Sequence, residues 1–389
     1  MAQGITRRQM LQAACAATVA AGCRRAYGAA APSAKIHELK VISRQPELYH
    51  GWATLARRQC GELLVSYSGG REAHVCPFGR VEMIRSTDNG ATWSDAQVLF
   101  DGPIDDRDSG VMETAKGTIL VTTFTSLAYE KSLAAAEKLK PGEKGAWDET
   151  RLRRWLEIRD RLSAEDRKKE LGAWIMRSSD GGKTWSKPYD CLVSSPHGPA
   201  QLGDGRLLYA GKDLWRGGRV GVVQSADDGL TWAWLADLPV RPGDDAKNYH
   251  ELHAVEATSG RLVLQIRNHN KPNAGETLQS ESTDGGKTWS VPHTIGVWGL
   301  PSHLLRLRDG RLLMSYGHRR APFGNQARIS ADEGATWSEA MILSGDGPGG
   351  DLGYPSTAQL ADGSLLTVWY ERLKESPRAV LRQARWSLE

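Results

Sequence analysis

The chain has almost no phenylalanine, four residues in 389 against fourteen tryptophans. That imbalance argues against an ordinary aromatic core and suits tryptophan used repeatedly for one structural task. Cysteine is scarce too: beyond residue 31 only Cys60, Cys76 and Cys191 remain, with no C-x-x-C spacing. This excludes a disulfide framework and a zinc knuckle, although one pair is free to bridge. No apolar run approaches the roughly 18 residues of a membrane-spanning helix. Net charge is nearly missing as well. The formal +4 is carried by Arg7, Arg8, Arg24 and Arg25 in an N-terminal stretch without acids, so the remainder is close to neutral and a nucleic-acid partner is excluded. Phosphate-binding loops and nucleophile elbows are absent, since Gly345-Asp-Gly-Pro-Gly-Gly350 lacks the following Lys and Ser/Thr.

What is present begins with an address. Thr6-Arg-Arg-Gln-Met-Leu-Gln12, followed by the small apolar run Ala13 to Gly22, predicts a twin-arginine export signal over residues 1–31, with cleavage after Ala29-Ala30-Ala31. Lipidation at Cys23 is the weaker alternative. Both place the mature protein outside the bacterial cytoplasm, in the periplasm or the medium.

An octapeptide, S-x-D-x-G-x-T-W, occurs five times: Ser86 to Trp93, Ser178 to Trp185, Ser225 to Trp232, Ser282 to Trp289 and Ser330 to Trp337. Its chemistry is that of a locked hairpin turn: Asp and Ser/Thr side chains bond the turn's own backbone, Gly accepts positive φ and Trp plugs the neighbouring sheet. A second pattern, a strand, a Gly turn and an apolar strand, occurs six times around Gly61, Gly117, Gly205, Gly260, Gly310 and Gly363. Six such units predict an all-β fold, a six-bladed β-propeller over 36–389. The last unit lacks the octapeptide, and Ile36 to Ser43 is expected to complete its blade. Blade 2 is inflated by a helix-forming segment, about 126–172, containing Leu152-Arg-Arg-Trp-Leu-Glu-Ile-Arg159. It reads as a surface decoration or as a lid over the site.

The octapeptides resemble the Asp boxes, or BNR repeats, of the sialidase (neuraminidase) superfamily, and the resemblance spans most of residues 48–386. Strand topology places these turns on one face, so the residues preceding each first strand should converge on the other. That set is polar: His50, Asp106, Arg107, Asp108, His197, Glu251, His253, His303 and Tyr354, joined by Arg71, Glu72, His74, Arg267, Arg319, Arg320 and Glu371. Such groups cannot all be core filler, because each would need a buried partner.

The resemblance implies a tyrosine nucleophile activated by a glutamate, an aspartate acid/base and three arginines gripping a carboxylate. Gly353-Tyr354-Pro-Ser356 is similar to the nucleophile segment, Tyr249-His-Glu251-Leu-His253 with Arg267 to the glutamate and second-arginine segment, and Arg319 or Arg320 to the third arginine. Two positions depart from the pattern: His50 stands where the first arginine is expected, and His74 where the acid/base aspartate is. The expected catalytic residues are Tyr354, Glu251, and His74 or Glu72. The expected binders of an acidic sugar are Arg71, Arg267, Arg319, His50, Arg107, Asp108, His197, His253 and His303. The resemblance thus implies an exo-acting, retaining glycoside hydrolase with a glycan substrate, and no cofactor or metal is expected. Two readings stand beside it: a polysaccharide lyase using His and Tyr on uronates, and a non-catalytic glycan-binding propeller. The histidines also raise a metal site, against which the lack of H-x-H and HExxH spacing counts.

Overall fold

The computed structural model describes residues 32–389, so the export signal lies outside the described residues. Six four-stranded antiparallel sheets form the ring. Blade 1 comprises Tyr49–Arg57, Leu63–Arg71, Arg80–Ser86 and Gln97–Phe100. Blade 2 begins with Asp105–Glu113 and Ile119–Ser126, and blade 3 is centred on Leu207–Lys212 and Val220–Ser225. Blade 4 starts with Tyr249–Glu256 and Leu262–Asn268, and blade 5 with Ser302–Arg306 and Leu312–His318. Blade 6 takes Leu352–Gln359, Leu365–Arg372 and Ala379–Leu388 from the end of the described chain and Ala34–Val41 from its start. The expected ring closure is therefore present, with Ala34 opposite Leu388 and Val41 opposite Arg382.

The paired aliphatic residues after each Gly turn explain how the ring is held. Successive side chains of a strand point to opposite faces, and a blade packs against a neighbour on each face. Leu63 and Val65 join the core shared with blade 6, whereas Leu64 joins the core shared with blade 2. Leu262, Leu264 and Ile266 face blade 3, whereas Val263 faces blade 5. Both faces are thus apolar, so these strands lack the polar alternation of a half-exposed sheet.

The Asp boxes join adjacent blades from outside. In blade 1, Gly90 N–H donates to Ser86 Oγ (2.9 Å), Thr92 N–H to Asp88 Oδ1 (2.9 Å) and Thr92 Oγ1 to Asp88 Oδ2 (2.6 Å), while Trp93 Nε1 reaches Gln383 of blade 6 at 2.8 Å. The hydrogen bonds from Thr92, with one from Ser86 Oγ, hold the Asp88 carboxyl low, at about 2. Trp337 Nε1 likewise reaches Gln279 of blade 4 (2.9 Å).

The blade 2 insertion forms three helices, Tyr129–Ala136, Glu149–Arg159 and Ala164–Lys169, with N-caps from Asp148 and Ser163 on the second and third. It builds its own small core, in which Tyr129, Leu133 and Trp155 are buried with Cys76 and Ile104. No helix among the described residues is long and apolar enough to cross a membrane. Cys60, Cys76 and Cys191 are free thiols.

Candidate active site

On the face away from the Asp boxes, four of the six first strands are bulged. Trp52, Asp108, Glu251 and Tyr354 have φ of 55°, 49°, 47° and 54°, each where the ladder with the second strand slips register. A left-handed conformation costs a residue with a Cβ about 1 to 2 kcal/mol. Strain of this kind gathers where a side chain is being aimed. Here it aims four side chains at the axis.

The phenol of Tyr354 donates a hydrogen bond to Glu251 Oε1. Arg267 Nη1 donates to the other oxygen of Glu251 at 2.5 Å and to the Tyr354 oxygen at 3.1 Å. Burial alone would raise the Glu251 carboxyl, but the Arg267 charge and hydrogen bond outweigh it and hold it below the usual range. Burial and the Glu251 charge push Tyr354 well above the ordinary phenol value. The pair therefore rests as a neutral phenol against a carboxylate, ready to hand over a proton as the oxygen bonds elsewhere.

Around this triad stand further cations. Arg319 lies with its guanidinium carbon 5.8 Å from the Tyr354 ring centre and is steadied by the carbonyl of Leu352 at 2.9 Å. Arg107 stacks on Trp52 at 4.5 Å, and its buried Nε has no partner among the described residues. Asp108 is buried, and burial followed by the Glu251 charge pushes its carboxyl up to about 7. A cavity of about 200 Å³ opens beside Glu251 between Asp108, Phe124, Lys212, Trp215 and His250. Trp52 is the hub, edge-on to Tyr354 at 6.4 Å and to His74 at 4.9 Å.

His74 sits at the rim, with nearly half of its side chain exposed. Its Nδ1 is 2.7 Å from the Tyr49 hydroxyl and 3.2 Å from Asp351 Oδ1, and the same hydroxyl donates to Asp351 at 2.8 Å.

Tyr354, Glu251, Arg267, Arg319, Arg107, Asp108 and His74 are thus brought together, and other expected site residues are placed elsewhere. Arg71 is wholly buried and forms a bidentate pair with Asp105 at 2.6 and 3.0 Å, its remaining donors held by Ser68 and by carbonyls. Glu72 is bound by the helical insertion, accepting from Trp155 Nε1 (3.0 Å) and pairing with Arg154 (2.6 Å). His50 turns into the seam between blades 6 and 1, bonding Ser43 at 2.9 Å in a cavity of about 340 Å³. Burial drives it down to about 4.

His197, His253 and His303 form a cluster with ring centres 4.7 to 5.4 Å apart, beside a cavity shared with Arg57 and Gln359. Backbone N–H groups of Leu304 and Thr357 donate to Nδ1 of His253 and His303. Each of those rings therefore carries its proton on Nε2, the nitrogen a metal would need free. The histidines that raised the lyase and metal readings are in this way split between three places.

Sequence reasoning assigned no role to Asp351, Tyr49 or Trp52. Asp351 lies in the loop Pro348 to Asp351 ahead of the blade 6 first strand, where a single acid carries no spacing signal. Trp52 follows His50 by two residues, and alternation would have set both on one face.

A family model described as a BNR repeat-like domain matches residues 155–367, more than half of the chain. A sialidase of Bacteroides fragilis (strain YCH46) is 24% identical over 319 residues, covering 75% of this chain and 54% of that protein. The chain thus spans about half of that relative's length. Among solved structures, a protein of unknown function from Dyadobacter fermentans DSM 18053 superposes with a TM-score of 0.71 at 23% identity, covering 92% of this chain and all of that one. An intramolecular trans-sialidase from Ruminococcus gnavus superposes with a TM-score of 0.62 at 14% identity, over 92% of this chain and 98% of its own. At these identities the likeness to the solved structures concerns the fold. With the repeats, the ring and the family match in agreement, the chain belongs to the BNR repeat-like family and carries the six-bladed propeller of the sialidase-like superfamily.

Proposed function

We propose that this protein is an exported, exo-acting, retaining glycoside hydrolase that removes a terminal acidic sugar from a glycan. The observation that carries the reading is the hydrogen bond from the Tyr354 hydroxyl to Glu251, with Arg267 spanning both. A neutral phenol can approach an anomeric carbon beside a carboxylate, where an anionic nucleophile would be repelled; this is an exception to the two-carboxylate rule of glycosidases. Arg267, Arg319 and Arg107 supply the positive field for the sugar's carboxylate. His74 is the acid/base group.

In the first step the Tyr354 oxygen bonds the anomeric carbon and its proton passes to Glu251. The bond to the leaving group breaks, and that oxygen takes a proton from His74. In the second step water attacks the same carbon and gives its proton to His74, the tyrosyl bond breaks and Glu251 returns the phenolic proton. Two inversions give retention. Sialidases among its relatives agree with the reaction class.

The test is a panel of sialylated, uronate-containing and sulfated glycans, with the anomer of the released sugar followed by NMR. Retained configuration, abolished in Tyr354→Phe, is the expected result. A product with a new ultraviolet-absorbing double bond would replace this reading with elimination, and binding without turnover would leave a lectin.

A further inference from the structure

The rim of the site holds a second hydrogen-bonded unit, of Tyr49, His74 and Asp351, contributed by the first strand of blade 1, the loop after its second strand and the loop before blade 6. Its hydrogen bonds settle where the protons lie. The Tyr49 hydroxyl has one hydrogen, directed at Asp351 at 2.8 Å. The 2.7 Å contact between that oxygen and His74 Nδ1 then requires the hydrogen on Nδ1, and so does the 3.2 Å contact of Nδ1 with the Asp351 carboxylate. Nδ1–H is therefore committed to Tyr49 and Asp351, and Nε2 is left as the nitrogen that exchanges a proton.

We infer that Asp351, with Tyr49, is the positioning residue of a histidine acid/base in this enzyme: it fixes the tautomer and ring orientation of His74 and supports the imidazolium that must donate to the leaving oxygen. The inference rests on the glycosidase reading above and deepens it. At the position where an aspartate acid/base is expected stands an imidazole, with a carboxylate behind it. The logic is that of any histidine base held by an acid through its other nitrogen.

The charged groups facing His74 are few and can be named. Asp351 and the Tyr49 hydroxyl meet Nδ1, the Arg71 guanidinium donates to the His74 carbonyl at 3.0 Å, Asp105 acts on His74 at longer range, and Arg319 acts on Asp351. Arg71 is already neutralised by Asp105. Burial would raise Asp351, but the hydrogen bond and charge of His74 outweigh it and hold the carboxyl below its usual value. The pair therefore attracts, and removing Asp351 leaves the imidazolium without its nearest anion.

Two measurements on the full mature protein decide the matter. Long-range ¹H–¹⁵N NMR of the His74 ring, assigned by comparison with His74→Gln, should report the Nδ1–H form. In Asp351→Asn it should move toward Nε2–H, because the amide can donate to Nδ1. The second measurement compares 4-nitrophenyl and alkyl glycosides of sialic and glucuronic acids. An activated aryl leaving group needs little protonation, whereas an alkyl one needs it fully. Asp351→Asn should lose roughly 10²-fold in kcat/KM on the alkyl substrates and much less on the aryl ones. Tyr49→Phe should show the same pattern more weakly.

An Nε2–H ring in the parent, or an alkyl-to-aryl ratio unchanged in Asp351→Asn while turnover still depends on Tyr354, overturns the role of Asp351 alone. No turnover of any probe, or turnover indifferent to Tyr354→Phe, overturns the glycosidase reading and this inference with it.

Discussion

Asp108 shows how far a single residue is bent to serve the site. Its backbone is left-handed, its side chain is buried, and it faces the Glu251 carboxylate across a cluster of arginines. Its carboxyl, pushed up to about 7 by burial and by Glu251, keeps a proton that the unfolded chain releases near pH 4. The folded state binds more protons across that window, so this group's stabilising contribution is full below about pH 4 and is lost as pH rises to 7. Asp108→Asn should therefore be more stable than the parent at pH 8 and no more stable at pH 4, with a difference on the order of 4 kcal/mol. Urea denaturation at the two pH values reads this directly, and an equal effect at both would show that Asp108 is ionised throughout.

At the scale of elements, the helical insertion and the bulged strands do different work. The insertion does not hang freely: Trp155 is buried beside Phe78 and Tyr129 and ties to Glu72, on the loop that also carries His74. It braces that loop. Trp155→Ala should cost about 3 to 5 kcal/mol within this small core, raising hydrogen exchange and protease cutting across 127–171 while the propeller's own melting is little changed. A single cooperative loss of the whole fold would show that the insertion and ring are one unit.

The bulges explain which parts of the site were legible. The Asp boxes and Gly turns repeat with fixed spacing, so blade number, ring closure and the insertion could be read from the chain. Residues on the first strands could be counted but not aimed, because a bulge cancels the alternation on which aiming depends. Glu251 and His253 share a parity, yet the first reaches Tyr354 and the second stacks on His303. His50 and Trp52 divide in the same way. Arg71 and Glu72 were sound as residue types, but their partners, Asp105 and the 151–155 helix face, lie tens of residues away and carry no local pattern.

The molecule as a whole depends on a strand that contributes little core. Ala34–Val41 is mostly exposed, and its value lies in its ladder with Ala379–Leu388 and in covering that strand's open edge. Removing residues 32–41 should lower the melting temperature by several degrees and raise association above that of the parent, as seen by light scattering, because an uncovered edge recruits another chain. Unchanged melting and scattering would show that three strands suffice for blade 6. The ladder also orders events in time. Strand partners more than 340 positions apart, Ala34 and Leu388, carry a closure cost of about 5 kcal/mol and place this among the slow, high-contact-order topologies. A nascent chain makes the outer strand of blade 6 well before the strand that pairs with it. Until Ala379–Leu388 is made that strand has no ladder partner, and its Lys35, Glu38 and Lys40 are the charges that suit an edge standing in water.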